Sequence, residues 1–405
     1  MERRRVRPSW DVVVAGAGPA GSATAALLAE AGLRVLMVDR AAFPRPKACA
    51  EYLSPEAGRI LDRLGVLDEV ARGAARLTGM RVVSPGGTAF VGRFRPVPGA
   101  APFRPWGLAL PRERLDAILA EAAVRRGTMF HERTTLEAFR AVPSGVEVCV
   151  RSGRVRETVR AAVLVGADGL HSRVAGALGV ARRSGRTRAA FVARAEAVDA
   201  MGDVGEMHVV AGGYVGLADV GGGITNIAAV VDRRAMPPGH DARARLDALL
   251  DRVPAVRHRL AGARFVTPVR CAGPFGRHTV RATGHAVALV GDAADFFDPF
   301  TGEGIYAALR GAELLAPRLH EAVARGTLGA ADLAPYDRDR RRAFADKWRI
   351  ERAIGAVVAR PALLDHVAAR LARRPALADL LVGVTGDFVP PLTLARPAVA
   401  WRLVA

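Results

Sequence analysis

The first 40 residues show a sharp alternation of apolar and mixed segments. Residues 11–40 begin with a short apolar run, pass a glycine-rich turn, continue as an Ala- and Leu-rich segment that stops at Gly32, and end in a second apolar run: DVVVAGAGPAGSATAALLAEAGLRVLMVDR. Short unbroken apolar runs are typical of buried parallel strands, and the segment between them has helical composition. A strand, a helix and a strand within about 30 residues form one βαβ unit. The pattern therefore predicts the first part of a parallel sheet.

Other segments predict the remaining elements. Helices are expected over residues 56–73, 111–127 and 242–252, a hairpin over 81–94, and two extended runs within 145–169. From 190 to 231 short apolar runs alternate with glycine turns, which predicts an antiparallel meander. Residues 287–309 predict a strand, a loop and a helix, as the first segment does. From residue 332 onward the chain is rich in Ala, Arg and Leu, which predicts helices broken by prolines.

Composition narrows the class of protein. The chain has 405 residues, and 59 basic against 40 acidic side chains give a formal charge of +19. The basic residues are almost all arginines scattered along the chain without an aromatic cluster, so we expect no nucleic-acid partner. No stretch reaches the roughly 18 uncharged apolar residues of a membrane span. The basic start MERRRVRPSW precedes only a short apolar run, so we do not expect an export signal. The three cysteines are odd in number and far apart, which fits a reducing compartment, and we expect a cytoplasmic protein.

The glycine-rich turn carries the first chemical signal. Its six residues are Gly16-Ala17-Gly18-Pro19-Ala20-Gly21, and Asp39 follows at the end of the next predicted strand. Glycines at these three positions allow a tight turn, close approach of the backbone to a pyrophosphate, and packing of the helix on the strand. The helix start supplies amide donors to the anion, and a carboxylate about 20 residues later accepts the ribose hydroxyls. The pattern predicts a dinucleotide site.

Two further motifs sit later in the chain, VLVGADGLHSRVA at 163–175 and VALVGDAADFFDPFTGEGIYAAL at 287–309. With the glycine turn, they make the chain resemble the flavoproteins of the para-hydroxybenzoate hydroxylase fold, and within them the geranylgeranyl reductase-like branch. The resemblance covers most of residues 8–340 and implies FAD as cofactor, with NAD(P)H as its reductant. It also implies an α/β fold, in which a Rossmann-like FAD-binding domain joins an antiparallel-sheet substrate domain and C-terminal helices.

The resemblance implies roles for individual residues. Asp39, with its neighbour Arg40, resembles the position that holds the adenosine ribose, and Arg112 resembles the arginine near the pyrophosphate. Asp168 and Gly169 lie in the family's Asp-Gly motif, which in relatives also serves nicotinamide binding. Gly291 and Asp292 resemble the segment bonded to the ribityl chain. The elements expected beneath the flavin ring are Pro299, Gly302, Gly304 and Ile305. Reduced flavin is anionic near N1 and O2, and a helix that begins at a glycine offers unpaired amides to that charge.

The segment FPRPKACAEYLSP, residues 43–55, contains Lys47, one of only two lysines in the chain. It resembles a segment of the reductase-like branch that runs beside the flavin ring and the substrate. We expect Lys47 to be kept for its compact ammonium, since arginine has a wider planar head. Cys49 is either a site residue or a small buried one, and Glu51 is either a proton donor or, as we favour, the ion-pair partner of Lys47. Lys47, Cys49 and Glu51 are the candidate catalytic residues. The branch usually has glycine at position 50, where this chain has Ala50.

The family resemblance and the pattern of apolar segments together predict three regions in the chain. We expect a discontinuous FAD-binding domain made of residues 1–80, 100–185 and 280–335, a substrate-binding β-sheet domain of 81–99 and 186–279, and a C-terminal helical region of 336–405. The histidines and cysteines show no metal-ligand spacing, so no metal is expected. The arginine-rich helices of 337–374 could bind peripherally to an acidic membrane, and this contact is kept as an alternative. A monomer or a homodimer is expected.

Three functions remain open from the sequence. The first, which we favour, is NAD(P)H- and O2-dependent hydroxylation of an aromatic or polyketide-like substrate in secondary metabolism. The second is reduction of isoprenoid double bonds, the activity that gives the reductase-like branch its name. Asp295, where the hydroxylases place a histidine after GDAA, points to this branch but not to the reaction. The third is a flavoprotein scaffold without turnover. Halogenation is disfavoured, because the chain lacks a Trp-x-Trp-x-Ile-Pro segment. In each catalytic case the cofactor supplies the chemistry, and the protein supplies orientation and a dry pocket for a hydrophobic small molecule.

Overall fold

The computed structural model describes residues 9–183, 187–296 and 299–404. Up to residue 183 the chain forms β1 (Trp10–Ala15), α1 (Pro19–Glu30), β2 (Val35–Val38), β3 (Tyr52–Leu53), α2 (Pro55–Arg63), α3 (Leu67–Ala71), β4 (Ala75–Leu77), β5 (Gly79–Val83), β6 (Ala89–Arg93), β7 (Gly107–Ala109), α4 (Arg112–Arg125), β8 (Met129–His131), β9 (Thr134–Val142), β10 (Gly145–Ser152), β11 (Val155–Gly166), α5 (Arg173–Ala177) and β12 (Ala181–Arg183). Residues 187–296 form β13 (Arg188–Glu196), β14 (Gly205–Val210), β15 (Gly213–Asp219), β16 (Ile224–Asp232), α6 (Ala242–Leu250), α7 (Pro254–Arg259), β17 (Arg264–Phe265), β18 (Arg270–Ala272), β19 (Arg277–Thr279), β20 (Thr283–Gly284), β21 (Val287–Leu289) and β22 (Asp295–Phe296). The remainder forms α8 (Gly304–Arg325), α9 (Ala330–Val358), α10 (Pro361–Arg373), α11 (Pro375–Thr385) and α12 (Pro397–Val404).

The predicted βαβ unit lies at the centre of a parallel sheet. Its strand order is β20-β21-β11-β1-β2-β8, and β1 pairs in parallel with both β2 and β11. Strands β9 and β10 extend the sheet from β11 as an antiparallel hairpin. Helix α1 packs against α4 and α8, so the apolar runs of β1 and β2 are fully buried. The strand–helix–strand prediction is confirmed, and the carboxyl ends of β1, β2 and β11 meet at one edge.

A second, mostly antiparallel sheet has the order β17-β13-β16-β15-β14-β5-β6, with β18 beside β13. The predicted meander holds for β14, β15 and β16, but β13 pairs with β16 instead of β14, and β5 joins β14 in parallel. Side chains alternate across this sheet, as the strand period requires. Val215 and Leu217 on β15 pack under α6 and α7, whereas Tyr214 and Gly216 face the parallel sheet across a cavity.

Turn residues account for the helix boundaries. The segment predicted as one helix over 56–73 is two helices, because Gly65 between α2 and α3 has φ = 63°. Ser54 begins α2 by accepting a hydrogen bond from the Ala57 amide at 3.3 Å. The prolines expected to break the C-terminal helices instead begin three of them, Pro361, Pro375 and Pro397. A proline fits this position because the first helical amide has no intrahelical partner. No described helix is long and apolar enough to cross a membrane.

An ion cluster anchors α7 to the antiparallel sheet. The buried Glu206 carboxylate on β14 accepts hydrogen bonds from Arg259 at the end of α7, at 2.9 and 3.0 Å, and contacts His208 at 2.9 Å and Arg81 at 3.2 Å. Burial by itself would raise the pKa of Glu206, but the hydrogen bond with His208 and the Arg259 guanidinium lower this pKa to about 2. The ionised form is therefore favoured in the folded state over the unfolded one.

We expect the Glu206→Gln variant to lose about 1–2 kcal/mol of folding free energy at neutral pH. Because the folded pKa lies below the ordinary value of 4.5, the stabilisation is full above pH 4.5 and disappears as the pH falls toward 2. Between pH 4.5 and pH 2 the free energy of unfolding should therefore fall less steeply for the variant than for wild type, as measured by urea unfolding at several pH values. The exposed Glu157→Gln variant on β11 is the matched control. Equal acid sensitivity of wild type and Glu206→Gln would contradict this role for the cluster.

Candidate active site

The turn between β1 and α1 brings backbone atoms into close contact. A Cβ on Gly16, which has φ = 105°, would overlap the Ala167 carbonyl group after β11, and a Cβ on Gly21 would overlap the Gly16 carbonyl. Gly18 differs from both. Among the described residues, the only atom that a Cβ added at Gly18 would meet within 4 Å is the Nη2 of Arg45, at 3.5 Å. Gly16 and Gly21 therefore serve packing, whereas Gly18 faces open space.

The start of α1 faces the same space. Its preceding residue, Gly18, provides no side-chain cap, and Pro19 and Ala20 line the cavity between the two sheets. Asp39 at the end of β2 accepts hydrogen bonds from the amides of Ala17 and Ala41, both at 2.9 Å. A positive helix end with open amides beside a carboxylate suits a pyrophosphate and a ribose.

A buried row of charges borders the turn. Arg112 makes two hydrogen bonds to Asp116, both of 2.9 Å, and lines the cavity. Arg45 lies 3.3 Å from Asp116 and 3.8 Å from Asp39. Arg45 is not among the predicted site residues, although it lies in the FPRPK segment. Arg40, predicted at the ribose, is exposed.

The second motif follows β11. The Oδ2 of Asp168 accepts hydrogen bonds from the amides of Arg173, at 2.7 Å, and Val174, at 3.3 Å, at the start of α5. Its Oδ1 is buried and has no hydrogen-bond partner among the described residues. A buried acceptor without a partner is costly, and a donor from a ligand or a water molecule would offset that cost. Gly169, with φ = 79°, lines the cavity next to it.

The third motif packs directly against the first. A Cβ on Gly291 would lie 2.7 Å from the Cβ of Ala20 on α1, so the absence of a side chain lets the two motifs meet. The start of α8 has no side-chain cap and points into the cavity. The predicted residues of this motif that line the cavity are Gly291, Asp292, Pro299, Gly302, Gly304 and Ile305.

The cavity separates these glycine elements from the antiparallel sheet. On the sheet side it is lined by apolar and small residues, namely Ala190, Val192, Met207, Tyr214, Gly216, Ala228 and Val230. Helix α9 closes one flank with Tyr336, Arg340, Phe344, Lys347 and Trp348. Arg340 is paired with Asp295, which also accepts a hydrogen bond from the Thr279 amide at 2.9 Å. The sheet face is therefore apolar, and the charges at the flank are held in pairs.

The segment around Lys47 forms another part of the cavity wall. Lys47, Cys49 and Ala50 line the cavity, whereas Glu51 does not. Within the described part of the chain Lys47 has no ion pair. Burial and the nearby Arg112 guanidinium lower the pKa of Lys47. The Cys49 Sγ accepts a hydrogen bond from the Glu51 amide at 3.3 Å.

The ion pair predicted between Lys47 and Glu51 is wrong. Glu51 has φ = 63°, so the chain turns at this residue and directs its carboxylate away from Lys47. The carboxylate accepts hydrogen bonds from the Arg112 amide at 3.0 Å and from the Arg194 Nε at 2.9 Å, and Arg194 also binds Glu113 at 2.6 Å. Burial raises the pKa of Glu51. The hydrogen bonds and the charge of Arg194 oppose this rise but do not cancel it. Glu51 thus joins α4 to the antiparallel sheet.

These features fit an adenine dinucleotide flavin. Gly18 leaves room for a pyrophosphate, Asp168 offers an unsatisfied oxygen, and the uncapped starts of α1 and α8 both face the cavity. Among the residues that the structure describes, no group of three or more His, Cys, Asp or Glu side chains is arranged to hold a metal ion.

Comparison with known proteins identifies the family. The model of an FAD binding domain matches residues 9–349. The chain belongs to this FAD-binding family. It is 30% identical over 354 residues to digeranylgeranylglycerophospholipid reductase 2 of Methanopyrus kandleri, covering 84% of this chain and 83% of that protein. It is also 33% identical over 202 residues to aklavinone 12-hydroxylase of Streptomyces peucetius, covering 46% of this chain and 41% of that protein.

Solved structures share the fold. The FAD-dependent halogenase CndH, from the myxobacterial chondrochloren system, has a TM-score of 0.76 at 26% identity, covering 85% of this chain and 82% of that one. The predicted α/β fold and the resemblance to the hydroxylase-fold flavoproteins are confirmed, and this flavoprotein is an FAD-dependent oxidoreductase. That finding favours an enzyme over the scaffold without turnover. The domain boundaries, the individual site roles, the membrane contact and the oligomeric state stay predictions.

We expect Gly18→Val to reduce FAD retention at least roughly tenfold, because the side chain would fill the space left for the pyrophosphate. FAD content is measured as the absorbance ratio of the visible band to the protein band after gel filtration. Thermal unfolding of the FAD-free protein should change little, since a Cβ at this position meets only the flexible end of the Arg45 side chain among the described residues. The control is Gly262→Val, at an exposed glycine with open space around it. A yellow, fully loaded Gly18→Val protein would refute this placement of the pyrophosphate.

Proposed function

We propose that this flavoprotein reduces carbon–carbon double bonds of a long, hydrophobic isoprenoid-type molecule. The observation that carries the proposal is the apolar cavity that joins the three glycine motifs to one face of the antiparallel sheet. Small residues such as Ala190, Gly216 and Ala228 leave a broad apolar surface, which suits a substrate with few polar groups. Similarity over most of both chains to an archaeal reductase of a polyisoprenoid lipid supports the same reading.

The chain's own residues provide binding, orientation and a proton. Bound FAD would supply a hydride to the double bond. The residues that would hold it are Gly18 and the start of α1, Asp39 and Asp168, and the start of α8. The apolar sheet face would orient the substrate and exclude water. Reduction of a double bond also needs one proton, and Lys47 Nζ and Cys49 Sγ are groups on the cavity wall that can carry an exchangeable proton.

A second candidate function is hydroxylation of an aromatic or polyketide-like substrate with NAD(P)H and O2. The similarity of about half of this chain to aklavinone 12-hydroxylase favours it. The same apolar cavity would accept a planar ring system, and no acid and base pair would be required from the protein. Neither similarity identifies the electron donor, so NAD(P)H is part of this proposal only.

One experiment separates the two functions. Under nitrogen, with dithionite as reductant and a geranylgeranyl lipid as substrate, we expect products heavier by pairs of hydrogen atoms in mass spectrometry. In air, with NADPH or NADH and a phenolic or anthraquinone substrate, we expect no product heavier by one oxygen atom. Oxygen-dependent NAD(P)H consumption that rises with the aromatic substrate, without any anaerobic hydrogenation, would overturn the reductase in favour of the hydroxylase.

We expect Lys47→Arg to lower turnover by roughly tenfold or more, while FAD content stays within a factor of two. The wider guanidinium cannot take the place of an ammonium in the cavity wall, and it does not release a proton. Turnover is followed as hydrogenated product, and FAD content by absorbance. Arg154→Lys on the exposed turn between β10 and β11 is the matched control for exchange of the two cations. Equal losses of turnover and FAD, or no loss of either, would remove the special role of Lys47.

A further inference from the structure

The second lysine of the chain lies in a buried ion cluster beside the cavity. Lys347 on α9 forms ion pairs with Glu303, just before α8, and with Asp387, after α11. The Ser54 hydroxyl donates a hydrogen bond of 2.9 Å to the other oxygen of Asp387. The Tyr306 ring centre lies 5.0 Å from the ammonium. We name Lys347, Glu303, Asp387 and Ser54 the Lys347 cluster.

The position of Glu303 makes the charge of this cluster important. Glu303 is 5% exposed and directly precedes α8, whose first amides have no side-chain cap. The start of a helix carries a partial positive charge, which an ionised carboxylate nearby would offset. Glu303 does not cap the helix, because its side chain is directed to Lys347. Both residues also line the cavity.

The cluster holds two carboxyl groups and one ammonium. Burial raises the pKa of Asp387, and the Lys347 ammonium and the Ser54 hydroxyl oppose this effect only in part. Burial therefore shifts Asp387 toward its neutral form, which leaves the Lys347 ammonium to balance the Glu303 carboxylate. Lys347 and Glu303 then form a neutral ion pair, and the helix start keeps its positive field toward the cavity.

We propose that Lys347 is a positioning residue that cancels the charge of Glu303, so that the start of α8 can stabilise the negative charge of reduced FAD. The inference rests on the proposed placement of FAD against α8. When FAD takes two electrons and one proton, it becomes an anion, and that charge would face the start of α8. Without the ammonium, an unpaired Glu303 carboxylate would repel the charge.

The test measures how easily bound FAD is reduced. Wild type and Lys347→Met are titrated with dithionite under nitrogen in the presence of a reference dye, and the ratio of reduced to oxidised FAD is read at one dye potential. We expect FAD content within a factor of two and a ratio lowered by roughly tenfold. Arg349→Met, which removes an exposed cation from the same helix, is the control and should leave the ratio unchanged.

A second variant separates charge from packing. In Glu303→Gln with Lys347→Met, both members of the pair lose their charge, so the ratio should return to within about threefold of wild type. If the double variant stays as low as Lys347→Met, the lysine acts through packing and the inference is wrong. An unchanged ratio in Lys347→Met, with FAD bound, also overturns it.

A single variant covers the case in which Lys347→Met does not fold. Glu303→Gln alone should raise the ratio of reduced to oxidised FAD, because the ammonium remains near the helix start, and an unchanged or lowered ratio would overturn the inference. Failure of the proposed function is distinguishable, since it would appear as wild-type protein that carries FAD but hydrogenates no isoprenoid. The equilibrium ratio needs no substrate and can be read in either case.

Discussion

The site depends on close approach of three backbone segments that have no side chains where they meet. A Cβ on Gly16 would overlap the carbonyl after β11, and one on Gly21 would overlap the Gly16 carbonyl. A Cβ on Gly291 would press on Ala20 at the start of α1. The three motifs lie far apart in sequence, yet these contacts hold them around one space. Because the glycines let these segments pack in direct contact, the starts of α1 and α8 face the same space, and an anionic ligand there meets oriented amides.

Charge around the cavity is fixed in buried pairs and kept off its substrate face. Arg112 binds Asp116 within α4, whereas the pairs Glu51–Arg194 and Asp295–Arg340 each join two separate segments. A buried charge without a partner costs several kcal/mol, so these pairs also limit how far the walls can move. The face of the antiparallel sheet stays apolar in consequence. This division suits chemistry in which a cofactor reacts and the protein excludes water.

Local patterns predicted the parts of the structure that depend on neighbours in sequence. The βαβ unit, the hairpin of β5 and β6, and the three glycine motifs follow from short runs of residues, and the family resemblance ordered them correctly. Partners distant in sequence carried no such signal. The predicted partner of Glu51, Lys47, lies four residues away, a spacing that brings side chains together in a helix. In this extended segment the turn at Glu51 directs the carboxylate to Arg194, 143 residues away. The parallel pairing of β5 with β14 could not be predicted either, because the two strands are distant in sequence.

The two lysines share one cavity but differ in what holds them. Lys347 is buried between two carboxyl groups, so its ammonium is fixed in place and its charge is compensated. Lys47 has no ion pair in the described part of the chain, and burial and Arg112 lower its pKa. A compensated charge acts as a constant part of the field, whereas an uncompensated one with a lowered pKa can gain or lose a proton as a ligand changes. Arginine, which stays protonated under all ordinary conditions, could replace the first only at the cost of its compact fit. In the proton-donating role proposed for Lys47, arginine could not replace the second, because no proton would leave it. A chain that uses arginine almost everywhere else thus has a separate physical reason for a lysine at each of these two positions.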